Sequence, residues 1–151
     1  KKITLNLINT KVITLNNFYF KLFKKKPRIA VLGLNPHNSE NKIYSVENKI
    51  IKPAINKLKK LKVNINGPFP ADTAFRKQNI INYDVIVGMY HDQVLGPHKA
   101  LYGYDAINLT LGLKYLRLSP DHGTAKDIVG MNKANPQSLI CAINFLNKIN
   151  D

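Results

Sequence analysis

An α/β layered fold with a mostly parallel sheet is predicted by two features of this sequence: short apolar runs ending in turn residues, and amphipathic segments of helical spacing between them. The leading segment, residues 1–26, carries two patterns. Ile3, Leu5 and Leu7 alternate as in a strand, while Val12, Leu15, Tyr19 and Leu22 recur as in a helix, and helix is the favoured reading. Residues 28–34 (RIAVLGL) form an apolar run ending in Gly-x-Asn-Pro, as a buried strand delivering a loop would. Over residues 45–62, Val46, Ile50, Ile51, Ala54, Ile55, Leu58 and Leu61 recur at three and four, with Ser45 as N-cap. Pro53 stands against an unbroken helix there, because it removes one hydrogen bond and should kink or restart the helix. Asn66-Gly67-Pro68 reads as a turn, and residues 84–89 (DVIVGM) as a second buried strand. Residues 106–111 and 115–118 read as two further strands, neighbours across a turn at Gly112. A last helix is capped by Asn135, has Pro136 at its first position, and places Leu139, Ile143 and Leu146 on one face. No internal repeat or low-complexity linker interrupts the chain, so one α/β lobe over residues 1–151 is expected.

Composition narrows the function classes. With 44% apolar residues the chain can bury a core, and it has no apolar run of membrane-spanning length and no signal-peptide start. Its one cysteine, Cys141, fits a packed thiol in a reducing compartment, and a soluble cytoplasmic protein is expected. The net charge of +14 invites a nucleic-acid partner. Against that, all but Arg28, Arg76 and Arg117 of the 23 basic residues are lysine, whereas phosphate forks and base readout favour arginine. Lys, Asn and Ile are abundant together, as an A+T-rich genome would produce, and no nucleic-acid-binding motif accompanies the charge. A solvated basic surface is the expectation, with no specific nucleic acid and no membrane as partner.

The chemistry gathers after the strands. His37, His91, His98 and His122 all fall in strand-following segments, and in an open α/β sheet such segments converge beyond the carboxyl ends of the strands. Neutral imidazole is a common ligand of divalent transition metals, and two or three with open positions make a Lewis-acid site. The competing reading is that each histidine merely caps a helix or bonds a backbone group.

The strings RIAVLGLNPH, NGPFPADT, MYHDQ, INLTLGL and SPDHGTA, in this order, resemble the C-terminal half of the 4-hydroxythreonine-4-phosphate dehydrogenase family, over about residues 28–150. The resemblance implies a three-layer α/β/α lobe like those of isocitrate and isopropylmalate dehydrogenases, in a homodimer. It also implies oxidation of 4-phosphohydroxy-L-threonine by NAD with loss of carbon dioxide, in pyridoxal 5'-phosphate synthesis, assisted by a divalent metal (zinc, magnesium, manganese or cobalt). Two metal ligands would be His37 and His91, and the third would belong to a preceding half lying upstream of Lys1. His98 and His122 are not ligands in that scheme. Contacts to the phosphorylated substrate carry over to Lys99, Asn108 and Arg117. A mobile point charge on Lys99 and a bidentate guanidinium on Arg117 suit a substrate bearing phosphate and carboxylate. The turn Asp121, His122, Gly123 and Thr124 would shape the cofactor side of the cleft, and Asp92 would orient His91 from behind.

Two departures accompany the resemblance. The family's glycine-rich Gly-Glu-Gly-Gly segment after LNPH is here Asn38-Ser39-Glu40-Asn41-Lys42, which would reshape the loop beside His37. The family's Gly-Leu-Pro after MYHDQ is here Val94-Leu95-Gly96-Pro97, with the distance to Lys99 kept. Two alternatives to the enzyme follow: a truncated, inactive or split-gene remnant that needs its missing half, and a basic lobe that binds polyanions.

Overall fold

The strand predicted at residues 28–34 is β1 (Ile29–Leu32), and all four of its residues are buried. Each is aliphatic, as a strand covered on both faces requires. The computed structural model describes residues 2–37 and 43–150. In it, β1 is the middle strand of a parallel sheet of order β2–β1–β3, flanked by β2 (Ile65–Phe69) and β3 (Val85–Val87). Ile29 pairs with Ile65 on one side and Val85 on the other. Mixed helix and strand with a parallel sheet bears out the predicted α/β class.

The segment before Pro27 is helix α1 (Leu5–Phe23), whose first turn is capped by the Thr4 hydroxyl accepting from the Leu7 N–H at 3.2 Å. Its Ile8 and Val12 are buried in one core with Ile29, Val31 and Ile65 and with the stripe Ile51, Ala54, Ile55 and Leu58. That stripe belongs to the second helical segment, where Pro53 acts as anticipated. The Ser45 hydroxyl accepts from the Asn48 N–H at 3.1 Å. A π-helical turn follows over Glu47–Ile51, in which the Lys52 N–H reaches the Glu47 carbonyl five residues back, and α2 (Lys52–Lys60) continues with Pro53 in its first turn. The restart places the proline where a missing N–H costs little.

Asn66-Gly67-Pro68, expected to turn, lies inside β2 instead. β2 stands at a sheet edge, where a proline is tolerated, and its register to β1 slips between Ala30 and Leu32. Gly67 sits at φ +134°, and a Cβ there would collide with the Val31 carbonyl oxygen. The turn-like residues thus mark a close approach of two strands. Two short helices, α3 (Ala71–Ala74) and α4 (Lys77–Ile80), lead to β3. At the amino ends of β1 and β3, Asp84 accepts from the Arg28 N–H at 2.9 Å and from its guanidinium at 3.0 and 3.2 Å. The guanidinium bonds first, and then the backbone N–H, lower the Asp84 carboxyl to about 2.

The chain divides into two compact units, one ending at Pro97 and the other starting at His98, with the division inside α5 (His91–Tyr102). In the second unit β4 (Ile107–Thr110) and β5 (Arg117–Pro120) pair antiparallel, as a separate two-stranded sheet. The parallel pairing expected for most of the sheet is found in the first unit, and the two strands expected to be neighbours across Gly112 pair antiparallel in the second. β5 begins two residues later than the predicted 115–118, leaving Tyr115 and Leu116 exposed in the connection. Helix α6 (Gln137–Asn150) packs on both strands. Asn135 caps it as predicted, its side-chain oxygen accepting from the Gln137 N–H at 2.9 Å. The buried positions are Ser138 and Ala142, one turn apart, while Leu139, Ile143 and Leu146 stay well exposed. Small residues set that seat because the helix lies close to the strands.

Candidate functional site

The candidates fall in two groups, one in each unit. In the first, His37 lies five residues after the end of β1 and is exposed. His91 opens α5, four residues after the end of β3. Both therefore follow the carboxyl ends of neighbouring parallel strands, where open α/β sheets hold ligands. The Nδ1 atom of His91 lies 2.7 Å from Asp92 Oδ1, with both side chains mostly exposed (76% and 89%). A pair so exposed adds little stability, but it orients the ring and leaves Nε2 available. Among the described residues no group of three His, Cys, Asp or Glu side chains could hold a metal ion. The altered segment Asn38–Lys42 lies outside the described residues.

Two side chains that sequence reasoning passed over sit beneath these histidines. Glu47 is fully buried, and its Oε1 accepts from the backbone N–H groups of Leu34 and Asn35 at 2.8 and 2.9 Å. Gln93 is 7% exposed; its Nε2 donates to the Gly33 carbonyl at 2.6 Å and its Oε1 accepts from the Met89 N–H at 2.7 Å. A signal for Glu47 existed: it stands four residues before Ile51, in line with the apolar stripe, where a carboxylate is out of place unless it is bonded.

In the second unit a cavity of about 700 Å³ is lined by Lys99 together with Asp121, His122, Gly123 and Thr124. One proposed substrate contact and all four proposed cofactor contacts thus share one concavity. Lys99 Nζ lies 3.6 Å from Asp121 Oδ1, and Asp121 is largely buried. The loop start is fixed from behind: the Asp121 N–H donates at 2.8 Å to the buried Ser138 hydroxyl, which donates to the Ala106 carbonyl. His122 Nδ1 lies 3.1 Å from the Gly123 carbonyl, a contact that calls for the proton on Nδ1. Tyr104 and Lys133 also line the cavity and were not anticipated.

Asn108 and Arg117 are exposed on the β4–β5 hairpin and do not line that cavity. Asn108 pairs with Ser119 and Thr110 with Arg117, so Asn108 and Arg117 project from the same face. The Arg117 guanidinium donates to the Thr110 hydroxyl at 3.3 Å, which keeps it along the hairpin. His98 stacks on Tyr102, ring centroids 4.9 Å apart.

The parallel sheet with histidine-bearing loops at its carboxyl ends is an α/β arrangement, and the proteins this chain resembles are named dehydrogenases. The family model described as pyridoxal phosphate biosynthetic protein PdxA matches residues 1–146, and the chain belongs to that family. A 4-hydroxythreonine-4-phosphate dehydrogenase of Xanthobacter autotrophicus is 48% identical over 126 residues, covering 83% of this chain and 36% of the relative. A D-threonate 4-phosphate dehydrogenase of Pectobacterium atrosepticum is 44% identical over 118 residues, covering 78% and 36%. The solved 4-hydroxythreonine-4-phosphate dehydrogenase of Klebsiella pneumoniae superimposes with a TM-score of 0.82 at 36% identity, over 99% of this chain and 46% of that one. This chain thus spans less than half the length of these relatives. Among the described residues, no helix is long and apolar enough to cross a membrane.

Proposed function

We propose that this chain supplies one lobe of a metal-assisted, NAD-dependent 4-hydroxythreonine-4-phosphate dehydrogenase of pyridoxal 5'-phosphate synthesis, whose product loses carbon dioxide. The observation that carries the reading is the family match over residues 1–146. It is supported by His37 and His91 following adjacent parallel strands and by Lys99 sharing a cavity with Asp121–Thr124. The donor chemistry fits a divalent cation: two exposed imidazoles, one steered by a carboxylate, suit a site completed by a third ligand from the other half of the enzyme. When bound, the metal supplies Lewis acidity to the substrate hydroxyl and its carbonyl product, and NAD accepts the hydride.

The chain's own residues have distinct tasks in this reading. Lys99, held by Asp121, offers a cation to the phosphate or carboxylate, and Arg117 offers a planar fork from the hairpin face it shares with Asn108. Asn108 supplies a neutral donor. The Asp121–Thr124 loop, anchored through Ser138, gives the cofactor a fixed wall. In the whole enzyme, a homodimer in this reading, the part of the relatives' length that this chain does not span completes the cleft.

A second substrate is favoured by one observation: the Pectobacterium relative, whose named substrate is D-threonate 4-phosphate, is nearly as similar as the Xanthobacter one. Both are phosphorylated four-carbon acids, so Lys99 and Arg117 would serve either.

The test is titration of zinc, then manganese, into the 151-residue chain by calorimetry, with His37→Ala and His91→Ala alongside. Binding lost in both variants is expected. Binding that survives either change, or no binding to the parent chain, overturns the ligand assignment. Retention on a polyanion column that falls steeply with salt would favour the polyanion-binding alternative.

A further inference from the structure

The loop after β1 and the loop after β3 each carry a histidine, and each is fastened by a buried polar side chain. Gln93 bridges them: it donates to Gly33 in the first loop at 2.6 Å and accepts from Met89 in the second at 2.7 Å. Glu47 takes the next two N–H groups of the first loop, Leu34 and Asn35, and its two oxygens also accept from the Asn35 side-chain amide at 3.2 Å. His37 lies two residues beyond Asn35, and His91 two beyond Met89. Three consecutive residues ahead of one imidazole and one residue ahead of the other are thus tied by two side chains.

Burying a carboxylate and an amide is costly unless both are bonded, so their placement needs a compensating network. Packing tightens it further. A Cβ on Gly88 would come within 2.6 Å of Val94 Cγ1 and 3.3 Å of Gln93 Oε1, so any larger residue after β3 would displace side chains in the first turn of α5. Leucine at either position would fill the space but leave the backbone groups of Leu34, Asn35, Met89 or Gly33 without these partners.

We propose that Glu47 and Gln93 are positioning residues that fix the His37 and His91 loops relative to one another, so that both imidazoles can engage a single divalent cation. The inference rests on the reading of those histidines as metal ligands. Gln93 sets the separation of the two loops, and Glu47 sets the course of the first one toward His37.

Hydrogen exchange at the Leu34, Asn35 and Met89 amides measures the clamp without metal, and calorimetric zinc affinity measures its consequence. Gln93→Glu keeps the acceptor for Met89 and removes the donor to Gly33; Glu47→Gln keeps an acceptor for the two backbone groups. Glu47→Ala and Gln93→Ala remove the contacts outright. In alanine variants that still unfold cooperatively, faster exchange at the tied amides and zinc affinity lower by roughly ten- to a hundredfold are expected, with Glu47→Gln recovering part of it. Unchanged exchange in the folded variants overturns the clamp. Faster exchange with unchanged zinc affinity overturns the positioning role. Zinc binding by the parent chain that is absent, or indifferent to His37→Ala and His91→Ala, overturns the ligand reading and the positioning role with it, while the exchange data still decide the clamp.

Discussion

Within each of the two units the packing is of a different kind. In the first, nine aliphatic residues from α1, β1, β2 and the helical segment Glu47–Lys60 close a core from which water is excluded. In the second, the buried positions among the described residues are small side chains, Ala106, Ser138 and Ala142, while Leu113, Tyr115, Val129 and Ile143 are at least half exposed. The first unit therefore draws its stability from apolar area, and the second leans on particular hydrogen bonds such as those of Ser138. Under the proposed function that contrast has a counterpart: the first unit serves as a base for two histidine loops and the second as a lightly built wall around a cavity.

Substitutions can break or sharpen it. The largest effect is expected from Leu58→Ala, at a fully buried site, with a loss of about 2–5 kcal/mol in urea unfolding. The same change at Leu139, which is 48% exposed, should cost less than about 1 kcal/mol, and equal losses would erase the distinction. Next comes Ser138→Ala, which leaves the Asp121 N–H and the Ala106 carbonyl without their shared hydroxyl. A cost of about 1–3 kcal/mol is expected, with hydrogen exchange accelerated at Asp121. Asn9→Leu should act in the opposite direction. Both polar atoms of the buried Asn9 amide lack a hydrogen-bond partner among the described residues, so the apolar replacement should raise the melting temperature, by up to about 1 kcal/mol of stability.

The smallest effect concerns acid. Asp84 has its folded pKa lowered from 3.8 to about 2 by the Arg28 guanidinium and backbone N–H, so its contribution is complete above pH 4 and fades as pH falls toward 2. Asp84→Asn should remove that part of the acid dependence, and a melting-temperature profile between pH 2 and 5 that is identical in both proteins would count against it.

The same contrast explains what the sequence disclosed. Elements with strong periodicity were readable: the aliphatic run at β1, the stripe through Ile51 and Leu58, and the Asn135 cap all stand where residue pattern put them. What failed were positions governed by contacts distant in sequence. Asn66-Gly67-Pro68 has every local mark of a turn, yet it is held extended by pairing with β1. The inward face of α6 is set by how closely it lies against β4 and β5, which favours Ser138 and Ala142 over the larger residues that a hydrophobic pattern selects. At the candidate site, the histidines and Lys99 were legible by residue type and by resemblance. Glu47 and Gln93 were not, because a buried polar residue is distinguished only by its partners, and those lie 13 and 60 residues away for Leu34 and Gly33.

Gly67 bears on how this sequence can drift. The wealth of Lys, Asn and Ile is what A+T-rich codons deliver, and an exposed lysine-bearing surface absorbs such changes with little structural consequence. Glycine codons begin with two guanines, and any single change in either of them installs a Cβ or ends the chain. At Gly67 that Cβ would meet the Val31 carbonyl oxygen, within the strand pairing that aligns β1. The compositional tide should therefore stop at this codon, and a library of synonymous and non-synonymous changes across residues 60–70 should return glycine there while accepting wide replacement at the exposed Lys60.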